Sequence, residues 1–325
     1  MLSVYTLTPQ GLRRLERSPE VPIPEEALWL DLLEPTVEEE RLVEARLGVD
    51  VPTREEMREI ESSSRLYEED GALYLTATIV TKLDTAVPEN AQVTFILKGP
   101  RLVTNRYIDP LPFRRYVNYA EKHPANCASA PAILAGLLES VVNRIADVIE
   151  RVGADLDVSS AEVFSRPHKN KRRAAQRDFR KVLERVGQSG ELIAKARESL
   201  VSLTRLLAFV QQSTIPLPQD TRTRLRTLSK DVVAMSDHAT FLGNNLSFIL
   251  DATLGMINID QNNILKIFSV VTVFLLPPSV IAGIYGMNFD HIPMLHDSFG
   301  FLFAVGLMVA SSVLPWMFFK RKGWL

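Results

Sequence analysis

The first part of the chain alternates short apolar segments with polar turns, which is typical of a domain that mixes strands and helices. Strand-like segments lie at 28–32, 73–81, 91–97 and 101–107. Asp70-Gly71 is a typical hairpin turn, so the residues that precede it are expected to pair with those that follow. Thr36 and Glu39 form a capping box, which predicts a helix that begins there and ends at Gly48. These signals predict a mixed α/β domain.

Helical spacing replaces the strand signals from Pro131 onward. The first periodic set is Leu134, Leu137, Leu138, Val141, Val142 and Ile145. A second helical stretch ends at Gln212, before a segment that contains two prolines. Between Asp220 and Pro277 the sequence has no strong helix breaker. One continuous helix there would be roughly 85 Å long, more than a compact domain needs, so we predict a long stalk helix.

The carboxyl-terminal end contains two long segments without charged residues, 267–289 and 298–319. Each is long enough to cross a hydrocarbon layer of about 30 Å. Core helices of soluble proteins are usually shorter and carry a polar face, so membrane spans are the better interpretation. Lys320, Arg321 and Lys322 follow the second segment, whereas the loop between the two has no Lys or Arg. The carboxyl terminus is therefore predicted to be cytoplasmic, and two crossings return the amino-terminal part to the same side.

Together these patterns predict an α+β membrane protein. Residues 1–20 lack the basic, apolar and small-residue segments that a signal peptide has in series. The predicted segments are a cytoplasmic mixed α/β domain at 1–122, a cytoplasmic helical segment at 123–219, a stalk helix at 220–263, a first span at 264–287, an outer loop at 288–297, a second span at 298–319 and a basic tail at 320–325.

Composition and charge exclude several classes of function. The 37 basic and 39 acidic residues leave a net charge of −2, which gives no general reason to bind nucleic acid. The basic run Lys169, Lys171, Arg172 and Arg173 has no aromatic residues between its charges, which favours a solvated helix junction. Cys127, the single cysteine, excludes an intrachain disulfide and a Cys-rich zinc site, and is expected to be buried. No nucleophile, base and orienting group occur together, so we predict that the protein is not an enzyme.

The first span carries a small and polar stripe on one face. Its members, three and four residues apart, are Asn262, Leu265, Ser269, Thr272, Leu276, Ser279, Gly283 and Gly286. The opposite face is apolar and mostly bulky, with Ile264, Ile267, Val271, Phe274, Pro278 and Ile281. Such a stripe must face protein or water within a membrane. Close helix packing and a pore lining with constrictions at the two leucines both fit, and a pore would need several subunits around one axis.

The residues after this stripe resemble a known family. Tyr285 precedes Gly286-Met287-Asn288, a short loop follows, and a second span leads to the ending KRKGWL. This arrangement resembles the CorA magnesium transporters, and the similarity extends from Ile257 to the end of the chain. The resemblance implies a funnel-shaped homopentamer of the inner membrane, with a cytoplasmic α/β domain, a stalk helix continuous with a pore-lining span, and the second span outside.

The resemblance also implies a function and its site residues. It implies Mg²⁺ uptake driven by the membrane potential, with Co²⁺ and Ni²⁺ as further substrates, closure by cytosolic Mg²⁺ and no other cofactor. The outer selectivity element would consist of Gly286, Met287 and Asn288. The pore positions would be Asn262, Leu265, Leu276 and Ser279, and the same stripe adds Thr272 as a residue that meets the ion.

One departure from the family concerns the outer loop. The family usually carries Met-Pro-Glu-Leu, whereas this chain has Met294 in place of the glutamate. Asp290 and Asp297 keep the loop acidic and could concentrate cations there. His291 and His296 could favour Co²⁺, Ni²⁺ or Zn²⁺, although solvated loop histidines are the simpler interpretation.

The sequence leaves alternatives open for the residues that bind regulatory Mg²⁺ and for the function of the protein. Asp220, Asp231 and Asp237 on the stalk helix are candidate ligands for cytosolic Mg²⁺, because this ion prefers oxygen ligands, but surface solvation explains each as well. One alternative function is a Zn²⁺ transporter of the related branch, against which Met287 argues mildly. The other is a membrane-anchored sensor or scaffold whose two spans only tether it.

Overall fold

A computed structural model describes residues 1–15, 23–59, 61–82, 88–164, 178–287, 293 and 299–321. By its internal contacts the chain forms two compact units, Met1–Leu250 and Asp251–Leu325. The basic run at 169–173 lies outside the described residues.

The first unit contains a seven-stranded sheet. Its strands are β1 (Leu2–Thr8), β2 (Gly11–Leu15), β3 (Ala27–Leu33), β4 (Leu66–Glu69), β5 (Ala72–Thr81), β6 (Glu89–Lys98) and β7 (Arg101–Arg106). The order across the sheet is β2-β1-β3-β7-β6-β5-β4. β3 and β7 pair in parallel, and the other neighbouring described strands pair antiparallel. The four strand segments predicted from the sequence are confirmed, whereas the β1–β2 hairpin is a finding of the structure.

The first unit also contains five complete α-helices within the described residues. They are α1 (Val37–Leu47), the single turn α2 (Ser62–Arg65), α3 (Leu111–Ala120), α4 (Ala130–Phe164) and α5 (Phe179–Gln212), with 3₁₀ turns at Glu56–Arg58 and Pro124–Cys127. The capping box is present, since the Thr36 hydroxyl accepts from the Glu39 N–H and the Glu39 carboxylate accepts from the Thr36 N–H. α1 ends at Gly48 with φ 62, as predicted.

The helices of the predicted segment 123–219 pack directly on the sheet. The Ser199 hydroxyl donates to the Thr78 carbonyl at 2.8 Å, and the Thr78 N–H donates to the Ser202 hydroxyl at 2.9 Å. Both serines lie on α5 and Thr78 lies on β5. The α/β domain and this helical segment are therefore parts of one compact unit.

A buried polar network joins the two parallel strands. The Arg106 guanidinium donates to both carboxylate oxygens of Asp31, at 2.9 and 2.7 Å, and Thr104 donates to the same carboxylate at 2.7 Å. Trp29 in turn donates to the Thr104 hydroxyl at 2.9 Å. Burial alone would lower the pKa of Arg106, but the hydrogen bonds and charge of Asp31 outweigh it and raise that pKa. Because the members are paired with one another, this network is structural.

Cys127 is fully buried, as predicted for a small apolar side chain. Burial raises the pKa of its thiol, which keeps it protonated.

Two helices of the described residues are long and apolar enough to cross a membrane, α6 (Gln219–Tyr285) and α7 (Gly300–Arg321). α6 begins beside the predicted start at Asp220 and continues without interruption through Pro277 and Pro278. The predicted long helix is therefore confirmed. The boundary between the two compact units falls within α6.

Candidate functional site

The polar stripe of the first span is exposed along its whole length. Its members Asn262, Leu265, Ser269, Thr272, Leu276, Ser279, Gly283 and Gly286 all lie at exposed positions of the chain. Leu265 and Leu276 are 62% and 58% exposed, so no part of the chain that the structure describes covers the largest side chains of the stripe.

The second span contacts the opposite face of α6. The Phe274 ring meets the ring of Phe319 on α7 edge-on, with centroids 6.4 Å apart. Partly buried positions lie on this same face, at Val270, Phe274, Pro277, Pro278, Ile281 and Tyr285. Ile264, Ile267 and Val271, predicted for this apolar face, are exposed. α7 therefore leaves the polar stripe free.

The hydroxyl groups of the stripe share one hydrogen-bonding geometry. Ser269 donates to the Leu265 carbonyl at 2.8 Å, Thr272 donates to the Phe268 carbonyl at 2.9 Å, and Ser279 donates to the Leu275 carbonyl at 2.7 Å. Each hydroxyl uses its single hydrogen for the backbone one turn earlier. The oxygen lone pairs that are left can only accept hydrogen bonds.

The helix ends where the sequence motif begins. α6 ends at Tyr285, and the Gly286 and Met287 N–H groups donate to the Ala282 and Ile284 carbonyls at 2.9 and 3.2 Å. Gly286 and Met287 are exposed. Asn288 and the loop residues Asp290, His291, Met294, His296 and Asp297 lie outside the described residues.

The candidate regulatory aspartates do not form one cluster. Asp220, Asp231 and Asp237 are all exposed on α6. Within the described residues, no group of three or more His, Cys, Asp or Glu side chains is arranged to hold a metal ion.

Asp231 lines a cavity of about 370 Å³ together with Glu139 and Asn143 of α4. Arg224 binds Glu139 through two hydrogen bonds of 3.0 and 2.7 Å, which raise the pKa of the arginine. Sequence reasoning missed Glu139 and Asn143. The available signal was that polar residues recur on α4 among its apolar positions, at Glu139, Ser140, Asn143 and Arg144.

Comparison with known proteins decides the family. The profile of a family described as CorA-like Mg²⁺ transporter protein matches residues 24–321. This chain belongs to the CorA-like Mg²⁺ transporter family. Members of this family are transporters, so the expectation that the chain is not an enzyme is confirmed.

CorA proteins of known sequence and structure align with nearly the whole chain. The magnesium transport protein CorA of Haemophilus influenzae is 33% identical over 299 residues, which are 92% of each chain. CorA of Escherichia coli K12 is 32% identical over 325 residues, covering both chains completely. The complete structure of the CorA magnesium transporter from Methanocaldococcus jannaschii superimposes with a TM-score of 0.77 at 18% identity, covering 100% of this chain and 99% of that one. The predicted fold class, a mixed α/β domain with a long helix and two carboxyl-terminal apolar helices, is therefore confirmed.

Proposed function

We propose that this CorA-family chain carries Mg²⁺ across a membrane along the polar stripe of its first span. The observation that carries the proposal is the exposed stripe of α6, whose three hydroxyls can only accept further hydrogen bonds, with α7 packed on the opposite face. Membership of the family and full-length similarity to proteins named magnesium transport protein CorA support the choice of ion.

The stripe suits an ion that keeps its water. Mg²⁺ sheds its hydration shell reluctantly. Water bound to a cation presents its hydrogens outward, and lone pairs of Ser269, Thr272 and Ser279 can accept them. Conduction needs binding that is favourable enough to enter and weak enough to leave, which neutral oxygens provide better than fixed carboxylates. The absence of acidic residues from 267–289 agrees with this requirement.

The outer selectivity element in this proposal is Gly286, Met287 and Asn288. A ring of Asn288 amide oxygens and Gly286 carbonyls would hold the hydrated ion without adding charge. Asn262 would act at the cytoplasmic mouth, and Leu265 and Leu276 would form apolar constrictions that close by excluding water.

A pore of this kind requires several copies of the chain, and we propose the homopentamer that the family resemblance implies. Each copy would contribute its first span to the axis, and the second span would face lipid. The exposed stripe of the single chain supports this arrangement, because it would otherwise face hydrocarbon. The proposed location is the inner membrane with both termini in the cytoplasm, supported by the basic residues after α7.

Cytosolic Mg²⁺ would close the pore by binding carboxylates of the first unit. All three candidates are exposed, and Asp231 is the one that we choose because it lines a cavity with Glu139 and Asn143. We expect Asp231→Asn to weaken the inhibition of uptake by internal Mg²⁺, while Asp237→Asn serves as the matched control at another exposed aspartate of the same helix. Unchanged inhibition in Asp231→Asn would remove this residue from the regulatory site.

The test of the proposed function is uptake by purified protein in liposomes. Mg²⁺, Co²⁺, Ni²⁺ and Zn²⁺ are supplied separately outside vesicles with an inside-negative potential. We expect Mg²⁺ to enter, with Co²⁺ and Ni²⁺ as further substrates, and Asn288→Ala to reduce its entry. Entry of Zn²⁺ alone would support the zinc transporter instead. The absence of any metal flux would support a tethered sensor or scaffold.

A further inference from the structure

The two consecutive prolines of α6 leave one backbone carbonyl group without either of its usual donors. A helical carbonyl of residue i accepts from the N–H of residue i+4, or from i+3 where the helix tightens. The residues at these two positions after Phe274 are Pro277 and Pro278, and proline has no N–H. The carbonyls immediately before and after it each keep one of the two donors. The Phe274 carbonyl is therefore the one in this turn that loses both donors.

Ser312 of the second span lies beside this carbonyl. Its hydroxyl oxygen is 3.4 Å from the Phe274 carbonyl oxygen and 3.3 Å from the Met308 carbonyl oxygen of its own helix. Both carbonyl oxygens lie within reach of the hydroxyl, so Ser312 can donate across to α6 as well as within α7. An unsatisfied carbonyl is costly in hydrocarbon, where no water can replace the missing donor. Ser312 supplies the hydrogen bond that Pro278 removes from α6.

The position of this contact connects it to the proposed ion path. Phe274 follows Thr272 and precedes Leu276, but it faces α7 while those two residues belong to the exposed stripe. A hydrogen bond at Phe274 resists rotation of this turn relative to α7. Rotation would carry the Thr272 hydroxyl and the Leu276 side chain away from the axis that the proposal assigns to them.

We propose that Ser312 is a positioning residue for the first span, and that its hydroxyl holds the proline-containing turn of α6 against α7. This inference rests on the proposed function, because the turn that it positions is part of the proposed ion path. Ser312 itself lies on the second span and does not belong to the stripe.

A double-mutant comparison tests the proposal. Pro278→Ala restores an N–H at position i+4, so the Phe274 carbonyl no longer needs Ser312. Ser312→Ala removes the donor, and Ser312→Thr keeps it. Ser311→Ala is the matched control, since the Ser311 hydroxyl donates at 2.8 Å within α7 to Met308. The two readouts are the initial rate of Mg²⁺ uptake by proteoliposomes and the thermal unfolding midpoint of the purified full chain.

We expect Ser312→Ala to reduce uptake about threefold or more and to lower the unfolding midpoint, while Ser312→Thr and Ser311→Ala retain both. In the Pro278→Ala background, Ser312→Ala should change neither readout. An unaffected Ser312→Ala protein, or the same loss in both backgrounds, would overturn the proposal. If the unmodified protein takes up no Mg²⁺, the proposed function fails, and the unfolding comparison still tests the Ser312 contact.

Discussion

At the scale of single residues, the hydroxyl of Thr272 separates the proposed ion path from ordinary helix packing. Thr272→Val removes the hydroxyl at nearly constant volume, so the path loses one acceptor for ion-bound water in every subunit. We expect Mg²⁺ uptake to fall about fivefold, the effect of a lost hydrogen bond of about 1 kcal/mol. The measurement is the initial uptake rate in liposomes containing equal amounts of protein.

Val271→Thr provides the matched control for this change. It replaces a methyl group with a hydroxyl of similar size at the neighbouring position, which lies on the apolar face away from the stripe. We expect uptake close to that of the unmodified protein. An equal loss of Mg²⁺ uptake in Thr272→Val and Val271→Thr would mean that the stripe does not form the ion path.

The ion pair of Asp31 and Arg106 leads to a prediction about stability. Both side chains are at least 94% buried, so Asp31→Ala removes the buried partner of Arg106 and leaves it, among the described residues, only the part-exposed Asp109 as an ion-pair partner, at 3.0 Å. We expect a loss of about 3–5 kcal/mol in unfolding free energy, measured by chemical denaturation of the purified full chain. Glu25→Ala is the control, because its contact with Arg46 is 3.5 Å long and exposed, and should cost less than about 1 kcal/mol. Similar losses would contradict the structural role of the buried network.

At the scale of elements, two glycine turns of the sheet should differ in their tolerance of a side chain. Gly71 has φ 74 and open space where a Cβ would lie, so Gly71→Ala incurs only the cost of the left-handed backbone, about 1 kcal/mol. A Cβ at Gly11 would overlap the Glu121 carbonyl oxygen and lie 2.5 Å from that of Ala120. We expect Gly11→Ala to cost about 3 kcal/mol or more, because backbone cannot move aside easily. Denaturation of both variants compares the two costs, and equal values would contradict this packing.

Elements with strong local signals could be predicted from the sequence. Asp70 and Gly71 have φ values of 49 and 74, the geometry for which this dipeptide is selected in hairpins. The β1–β2 hairpin was not predicted because its burial depends on distant residues. Tyr5, for example, is buried by stacking on Trp29 of β3, with ring centroids 4.4 Å apart.

The candidate site likewise contains features with a local sequence signal and features that depend on contacts between distant residues. The stripe could be predicted because the periodicity of one helix is a local property of its sequence. The contact between Ser312 and Phe274 could not, because it depends on how two helices align across a loop. The position of Asp231 beside Glu139 likewise depends on the packing of α6 against α4.

At the scale of the whole molecule, the proposed route should respond to voltage. Moving two elementary charges inward is worth about 4.6 kcal/mol per 100 mV of inside-negative potential. We expect Mg²⁺ uptake to rise as a potassium diffusion potential is made more negative and to fall when the potential is dissipated. Vesicles without protein are the control. An uptake rate that does not change with the membrane potential would contradict passive, channel-like transport.

The hydroxyl geometry of α6 has a further consequence for ions of opposite sign. A halide is solvated by hydrogen-bond donors, yet each serine and threonine hydrogen on this wall is already committed to the backbone. Between Ser269 and Ser279, chloride would therefore lose its hydration shell and meet hydroxyl oxygens whose hydrogens already point to the backbone. This part of the wall discriminates against anions by the orientation of neutral hydroxyl groups, since residues 267–289 carry no formal charge.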